Sequence, residues 1–188
     1  MRSARCSGKK DSGKNFGKER ILAVQRHSNP DNNRITFLKF DLGEIRREKV
    51  YRARLRVHGR RKSDYVYDDS FTFRVYGSTD DGWSETELKA ENAPAVCRRV
   101  SAMRGESISP EAPPVGHLSF SNKAGHSEID VTRFVREHAD RELTFVLIRE
   151  VNWPGENTDF ARVELDSRES AEDLAPRLEV VIGDGPGR

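Results

Sequence analysis

The fold of this 188-residue chain is decided by a segment that reads Arg34-Ile35-Thr36-Phe37-Leu38-Lys39-Phe40-Asp41-Leu42. Apolar and polar residues alternate along it with a period of two. In a β-strand this alternation sends one set of side chains to the core and the other to the surface. The segment from Phe160 to Glu169 shows the same alternation near the other end of the chain. Both segments therefore predict half-buried strands.

Together with these two segments, the sequence predicts nine strands, which are separated by turn-forming residues. They lie near residues 20–25, 34–41, 51–58, 71–77, 115–120, 127–131, 142–149, 159–165 and 177–182. Helical periodicity is nearly absent, apart from a single turn predicted over 43–49 and a short helix over 132–139 that Asp130 or Thr132 would cap. Many short strands with turns between them are typical of an all-β fold, an antiparallel β-sandwich of the jelly-roll kind.

Several short motifs occur in a fixed order along the chain. They are Asn15-Phe16-Gly17, Leu38-Lys39-Phe40-Asp41-Leu42, Ala53-Arg54-Leu55-Arg56-Val57, Trp83-Ser84-Glu85, Asn92-Ala93-Pro94, Asp130-Val131-Thr132, Ser167-Arg168-Glu169-Ser170 and Pro176-Arg177-Leu178. This ordered set resembles the secreted β-sandwich family named for its DNRLRE signature, and in particular the alginate-binding carbohydrate-binding module family 96. The resemblance covers roughly residues 12 to 182. Family members open with a strand before the Asn-aromatic-Gly loop, whereas this chain opens with a polar run.

The resemblance implies a noncatalytic carbohydrate-binding module rather than an enzyme. It implies an acidic polysaccharide such as alginate as the partner, and a larger, multidomain, secreted protein that the module holds on that polymer. Sandwich modules of this kind often carry a structural calcium ion bound by carboxylate and carbonyl oxygens, so calcium is an expectation for which we assign no ligands.

Composition excludes several other classes of protein. The 33 basic and 31 acidic residues give a net charge of +2, which lacks the strongly basic footprint of a nucleic-acid-binding protein. No run approaches the ~18 consecutive apolar residues that a membrane span needs. Met1 to Lys14 has no apolar centre, so we expect any export signal to lie on sequence outside this chain.

The chain is expected to form one domain over residues 15–183, with a flexible tail over 1–14 and a short tail over 184–188. Cys6 and Cys97 are expected to be free thiols, because Cys6 falls in the predicted tail. The histidines show no metal-ligand spacing and are interpreted as surface or loop residues; they are His27, His58, His117, His126 and His138.

Strand alternation assigns a facing direction to each side chain. In the strand after Lys49, Tyr51, Ala53, Leu55 and Val57 are predicted to face the core. If the relevant strands share one sheet, the outward residues form a basic face flanked by aromatic rings. The predicted binding residues are Lys39, Arg52, Arg54, Arg56, Arg74, Tyr76 and, on a separate loop, Trp153. Arginine suits a uronate carboxylate because its planar fork can donate two parallel hydrogen bonds.

A structural role is an equally open interpretation of the same arginines. Arg52, Arg54 and Arg56 can pair with acids on neighbouring strands, since the chain holds almost as many acids as bases. Trp83 is expected to anchor a loop in the core, and Arg168 is expected to be buried while it holds backbone carbonyls or a carboxylate, with Glu169 capping it. Trp153 is placed either as a loop residue or as a ring that stacks on a sugar.

Three function classes therefore compete. The first, which the resemblance favours, is the binding module. The second is a structural or adhesive sandwich without a sugar site, and a basic face fully neutralised by acids would favour it. The third is a small polysaccharide-active enzyme, which needs two carboxylates held across a cleft or a Tyr/His/Arg group of the kind that lyases use. No catalytic motif or catalytic residue is identified, and Ser167-Arg168-Glu169 is interpreted as structural.

Overall fold

The computed structural model describes residues 1–7, 13–27, 32–63, 70–80, 82–89, 114–149 and 161–183. The strands there are β1 (Arg2–Ser7), β2 (Ile21–Val24), β3 (Arg34–Asp41), β4 (Val50–Ser63), β5 (Phe71–Ser78), β6 (Pro114–Phe120), β7 (Gly125–Asp130), β8 (Glu142–Ile148), β9 (Ala161–Asp166) and β10 (Arg177–Ile182). One α-helix, α1 (Thr132–His138), and one 3-10 turn (Arg47–Lys49) join them in the described part.

The strands form two antiparallel sheets that pack face to face. The first sheet has the order β1-β3-β8-β5-β6. The second has the order β10-β4-β9-β2, and β7 also pairs with β4. The predicted all-β sandwich is confirmed, and each of the nine predicted strands has a counterpart.

The core between the sheets is built from the inward residues of alternating strands. Strand alternation predicts ten residues for this core, including Leu178 and Val180 of β10, and the other eight are buried: Leu38, Phe40, Leu55, Val57, Phe73, Val75, Phe145 and Leu147. Leu178 and Val180 are only partly buried and pack against its rim, because β10 lies at an edge of the second sheet. The period-two alternation therefore identified most of the core correctly.

The expectation of a flexible tail over residues 1–14 is wrong for its first half. Arg2–Ser7 form β1, which pairs antiparallel with β3 from Arg2 opposite Lys39 to Ser7 opposite Arg34. Ser3 and Ala4 are fully buried. β1 is thus the strand that family members place before the Asn-aromatic-Gly loop. Residues 8–12 and the predicted tail over 184–188 lie outside the described residues.

The predicted orientation of Tyr51 is also wrong, because β4 contains a β-bulge. Ala53 is fully buried as predicted, but Tyr51 is 68% exposed and Val50 is buried in its place. The register against β10 shifts here, since Val181 lies opposite Arg52 and the next residue, Ile182, lies opposite Val50. An extra residue in one strand reverses the phase of the alternation beyond it.

The short helix α1 begins where the Asp130-Val131-Thr132 motif turns the chain. An Asp130 carboxylate oxygen accepts a hydrogen bond from the Thr132 backbone N–H at 2.9 Å, and the Thr132 hydroxyl accepts one from the Ala53 N–H at 2.9 Å. The motif therefore turns the chain into the helix and fastens it to β4, but the expected cap is wrong, because the N-cap residue is Val131 and it makes no side-chain cap hydrogen bond. No helix in the described residues is long and apolar enough to cross a membrane.

Candidate functional site

The structure separates the predicted binding residues into two groups. Lys39 on β3 and Arg74 and Tyr76 on β5 belong to the first sheet, whereas Arg52, Arg54 and Arg56 on β4 belong to the second. The condition that these strands share one sheet is not met. A single basic face made of all six residues does not form.

Lys39 and Tyr76 are buried because a loop covers the outer face of the first sheet. Trp83 and Leu88 of that loop pack with Tyr76 in a second apolar cluster, completed by Ala4, Ile35, Phe37, Val146 and Ile148. Lys39 is 1% exposed, and its ammonium group forms an ion pair with Glu142 at 3.3 Å. Neither residue offers a surface that a polymer could reach. Arg74 is half-buried, opposite His117 and Ile148.

The outer face of β4 carries an exposed series of cations, which we call the β4 cation row. Its members are Arg52, Arg54, Arg56, Arg60 and Lys62. Their side chains are between 35% and 55% exposed. Alternate residues of a strand lie about 6.6 Å apart on one face, so the row is a line of cations at this spacing, interrupted between Arg56 and Arg60 by His58. The sequence prediction missed Arg60 and Lys62 because it ended the strand at residue 58. In the structure the strand continues, and buried and exposed side chains alternate beyond Gly59.

Each arginine predicted on β4 has an acidic neighbour on an adjacent strand. Arg52 lies 4.0 Å from Asp130, Arg54 lies 3.4 Å from Glu128, and Arg56 lies 3.9 Å from Glu179. Such long, exposed pairs contribute about 0 to 1 kcal/mol each. The acids therefore offset the charge of these arginines without holding their side chains firmly.

Positive charge exceeds negative charge toward the far end of the row. Glu164 of β9 is shared by Arg60 at 3.7 Å, Lys62 at 3.4 Å and Arg162, which donates a hydrogen bond to the same carboxylate. Burial by itself would raise the pKa of Glu164, but the hydrogen bond from Arg162 and the charges of Arg162 and Lys62 outweigh burial and lower this pKa. The carboxylate is ionised at neutral pH and faces three cations.

Asp130, at the opposite end of the row, is also held ionised. Hydrogen bonds from the side chain and the backbone of Thr132 lower the pKa of Asp130, and the charges of Arg52 and Arg54 lower it further. Asp130 and Glu164, at the two ends of the row, are therefore both charged under ordinary conditions. The face is an ionic lattice with its cations in the central strand.

Two histidines come together in the middle of the same face, which the sequence did not predict. His58 Nδ1 lies 2.7 Å from an Asp166 carboxylate oxygen, and the His58 ring meets the His126 ring with centroids 4.8 Å apart. The cross-strand register places these two histidines directly opposite each other on β4 and β7. Only long-range strand pairing brings them together, and no local motif signals it.

Three of the recurring motifs meet around Glu85 in what we call the motif cluster, formed by Ser3, Asn15, Gly17, Glu85 and Arg168. The Glu85 carboxylate accepts a 2.7 Å hydrogen bond from the Ser3 N–H and forms an ion pair with Arg168 at 3.3 Å. The Asn15 side chain donates to the Glu85 carbonyl oxygen at 2.8 Å. A Cβ atom at Gly17 would overlap that carbonyl oxygen, so only glycine permits this close approach.

The expected roles of Arg168 and Glu169 are confirmed, but the expected burial of Arg168 is wrong. Arg168 donates to the Met1 carbonyl oxygen at 3.2 Å and to Glu169 at 2.8 Å. Its side chain nevertheless remains 42% exposed, because it lies over the end of β1 rather than beneath it. These three motifs therefore hold the start of β1 and the segment around Glu85 together.

The sequence pattern of carbohydrate-binding module family 96 matches residues 5–182 of this chain. The chain belongs to this family. The resemblance carried by the ordered motifs is thereby confirmed, and the family 96 module has the predicted sandwich fold. Families of this type are generally noncatalytic, in agreement with the expectation of no enzymatic activity. No curated protein matches the chain.

Three sequence-based expectations fall on parts of the family 96 module outside the described residues. They concern Trp153, Cys97 and the Asn92-Ala93-Pro94 motif. Within the described residues, no three His, Cys, Asp or Glu side chains are grouped so that they could hold a metal ion. The calcium expectation therefore has no ligand set there and stays a prediction.

Proposed function

We propose that this family 96 module binds an acidic polysaccharide such as alginate along the β4 cation row. The observation that supports this proposal is the row itself, an exposed line of five cations on one sheet face, formed by Arg52, Arg54, Arg56, Arg60 and Lys62. A linear polymer with a carboxylate on each sugar presents a matching line of negative charge. The module acts without catalysis and targets a larger extracellular protein to the polymer.

Carboxylates of such a polymer would compete with the acids of neighbouring strands. The competition favours the polymer where the existing pairs are weakest, at Arg52–Asp130 and Arg56–Glu179 with separations near the 4 Å limit of an ion pair. An arginine that exchanges a distant partner for two parallel, charge-assisted hydrogen bonds binds its new partner more strongly and in a fixed orientation. The sheet beneath is rigid, so the cations need little rearrangement.

A second candidate function is a structural or adhesive domain without a sugar site. The observation that favours it is the same set of cross-strand pairs, since each predicted β4 arginine has an acid within 4.0 Å. In that case the ionic lattice would serve only to keep the outer sheet face soluble. Glu164 argues for the binding function, because three cations share this one carboxylate.

Affinity gel electrophoresis with alginate, pectate and a neutral glucan separates the two candidates. We expect the module to be retarded by alginate or pectate and not by the glucan. The double variant Arg54→Gln/Arg56→Gln should lose most of the retardation. The control Arg2→Gln/Arg74→Gln removes the same charge from the first sheet and should behave like the unaltered module. Equal migration of the unaltered module in all gels would support the structural domain instead.

A further inference from the structure

Exposed apolar side chains cluster at one end of the β4 cation row. Five large hydrophobic residues are exposed in the described residues, and two of them, Tyr51 and Val181, lie on the outer face where β4 meets β10, since Val181 pairs with the outward Arg52; Ile182 pairs with the inward Val50 and faces the other way. Single exposed apolar residues are common and need no explanation. A pair that includes the most exposed aromatic residue of the described part of the chain and adjoins a row of arginines is a candidate for ligand contact.

The β-bulge in β4 creates this arrangement. Val50 and Ala53 both face the core, so the two residues between them, Tyr51 and Arg52, both point away from it. A regular strand would have sent one of these two side chains inward. The bulge therefore presents an aromatic ring and a guanidinium group side by side on one surface. Bulges often re-aim side chains at functional sites.

The backbone that carries Tyr51 is fixed from both sides. Arg136 of α1 donates hydrogen bonds to the Val50 carbonyl oxygen at 3.1 Å and to the Tyr51 carbonyl oxygen at 3.2 Å. On the other side, the Gly183 N–H donates to the Lys49 carbonyl oxygen at 3.0 Å. The Tyr51 side chain is exposed, while its main chain is held in place. Such a platform loses little conformational freedom when a ligand binds.

We propose that Tyr51 and Arg52 form an anchoring subsite for one uronic acid residue of the polymer. The ring of Tyr51 stacks on the apolar C–H face of the sugar, and Arg52 pairs with its carboxylate. The ion pair between Arg52 and Asp130 is long, at 4.0 Å, and Asp130 is 61% exposed, so the sugar carboxylate readily replaces Asp130 as the partner of Arg52. The inference rests on the proposed function, and it adds that one end of the row fixes where the polymer chain is held.

Calorimetry with purified alginate and pectate oligosaccharides tests the subsite. Tyr51→Ala should weaken binding about tenfold, which corresponds to the upper range of an aromatic contact. Tyr51→Phe keeps the ring and should bind as the unaltered module does. Ile21→Ala removes another exposed apolar side chain, from β2, and serves as the matched control. Because Tyr51 and Ile21 are exposed, these variants should unfold at the same denaturant concentration as the unaltered module.

Each contrary outcome has a separate meaning. Tyr51→Ala with unchanged affinity, alongside loss in Arg54→Gln/Arg56→Gln, would overturn the subsite and leave the proposed function standing. An unaltered module that binds neither oligosaccharide would overturn both. Light scattering completes the test: if Tyr51→Ala changes the oligomeric state rather than the affinity, the pair of Tyr51 and Val181 is a contact between two copies of the chain and the subsite is wrong.

Discussion

Lys39 and Trp83, 44 residues apart in the chain, are joined by two contacts. The Lys39 ammonium group donates a 2.6 Å hydrogen bond to the Trp83 carbonyl oxygen, and it lies 4.8 Å from the centre of the Trp83 indole ring. The Trp83 indole N–H in turn donates to the Thr144 hydroxyl at 3.0 Å. A lysine that sequence reasoning assigned to sugar binding thus holds the covering loop on the first sheet.

We predict that Trp83→Ala will destabilise the module by roughly 3 to 5 kcal/mol, because it removes a large side chain that is 5% exposed. Urea denaturation at low temperature measures the loss. Affinity for alginate, measured where the variant is folded, should be unchanged, since Trp83 lies on the first sheet and the β4 cation row on the second. A variant of normal stability that no longer binds would reverse this assignment.

Glu85→Ala should lower the free energy of unfolding by about 1 to 3 kcal/mol, since it leaves the buried Ser3 N–H without its acceptor. Glu85→Gln is the matched variant, because its amide oxygen can still accept that bond and should retain part of the stability. Hydrogen exchange at the Ser3 amide should accelerate more in the alanine variant. Equal stability of the two variants would show that the ion pair with Arg168 is what matters.

Low pH should lower the stability of the module through protonation of Glu164. Folding lowers the pKa of this carboxyl below its ordinary value of 4.5, so its stabilisation is present above that pH and is lost as pH falls through the folded-state pKa. Glu164→Gln should cost about 1 kcal/mol at pH 7, and the difference from the unaltered module should shrink below about pH 4.5. Unfolding curves recorded from pH 3 to 7 measure this difference in stability. The exposed Glu44→Gln is the control, and an equal effect there would contradict the prediction.

Polyuronate binding should be strongly salt-dependent. Between 0.1 M and 1 M salt the Debye length falls from about 10 Å to about 3 Å, so attraction to the exposed β4 cation row weakens. The same titration with Arg54→Gln/Arg56→Gln should give a shallower dependence on salt than the unaltered module. Binding that 1 M salt leaves intact would show that the row does not supply the affinity, and would direct attention to Trp153.

The strands of the sandwich could be predicted because alternation and turn residues are local signals. Most core residues followed from the same alternation, as Leu55 and Phe73 show. β1 was missed since its buried residues Ser3 and Ala4 are small and carry no hydrophobic pattern. Contacts with Glu85 and Arg168 of the motif cluster, which come from distant parts of the chain, hold that segment in place as a strand.

The candidate site was only half predictable for a related physical reason. Alternation tells which side of a strand a residue faces, but it does not tell which sheet the strand joins. Arg54 and Lys39 therefore looked alike in sequence, although one is on an open face and the other lies beneath a loop. The bulge at Tyr51 shifts the alternation by one residue, and only pairing with β10 reveals it.

β4 is bonded along its length to three other strands, namely β10, β7 and β9. A polymer held on this strand would transmit any pull into three ladders of backbone hydrogen bonds together. Force directed along β4 loads those bonds in shear, so many must break at once, whereas a pull across the strand would open them one after another. The strand that carries the proposed contacts is thus one that spreads a load over three neighbours.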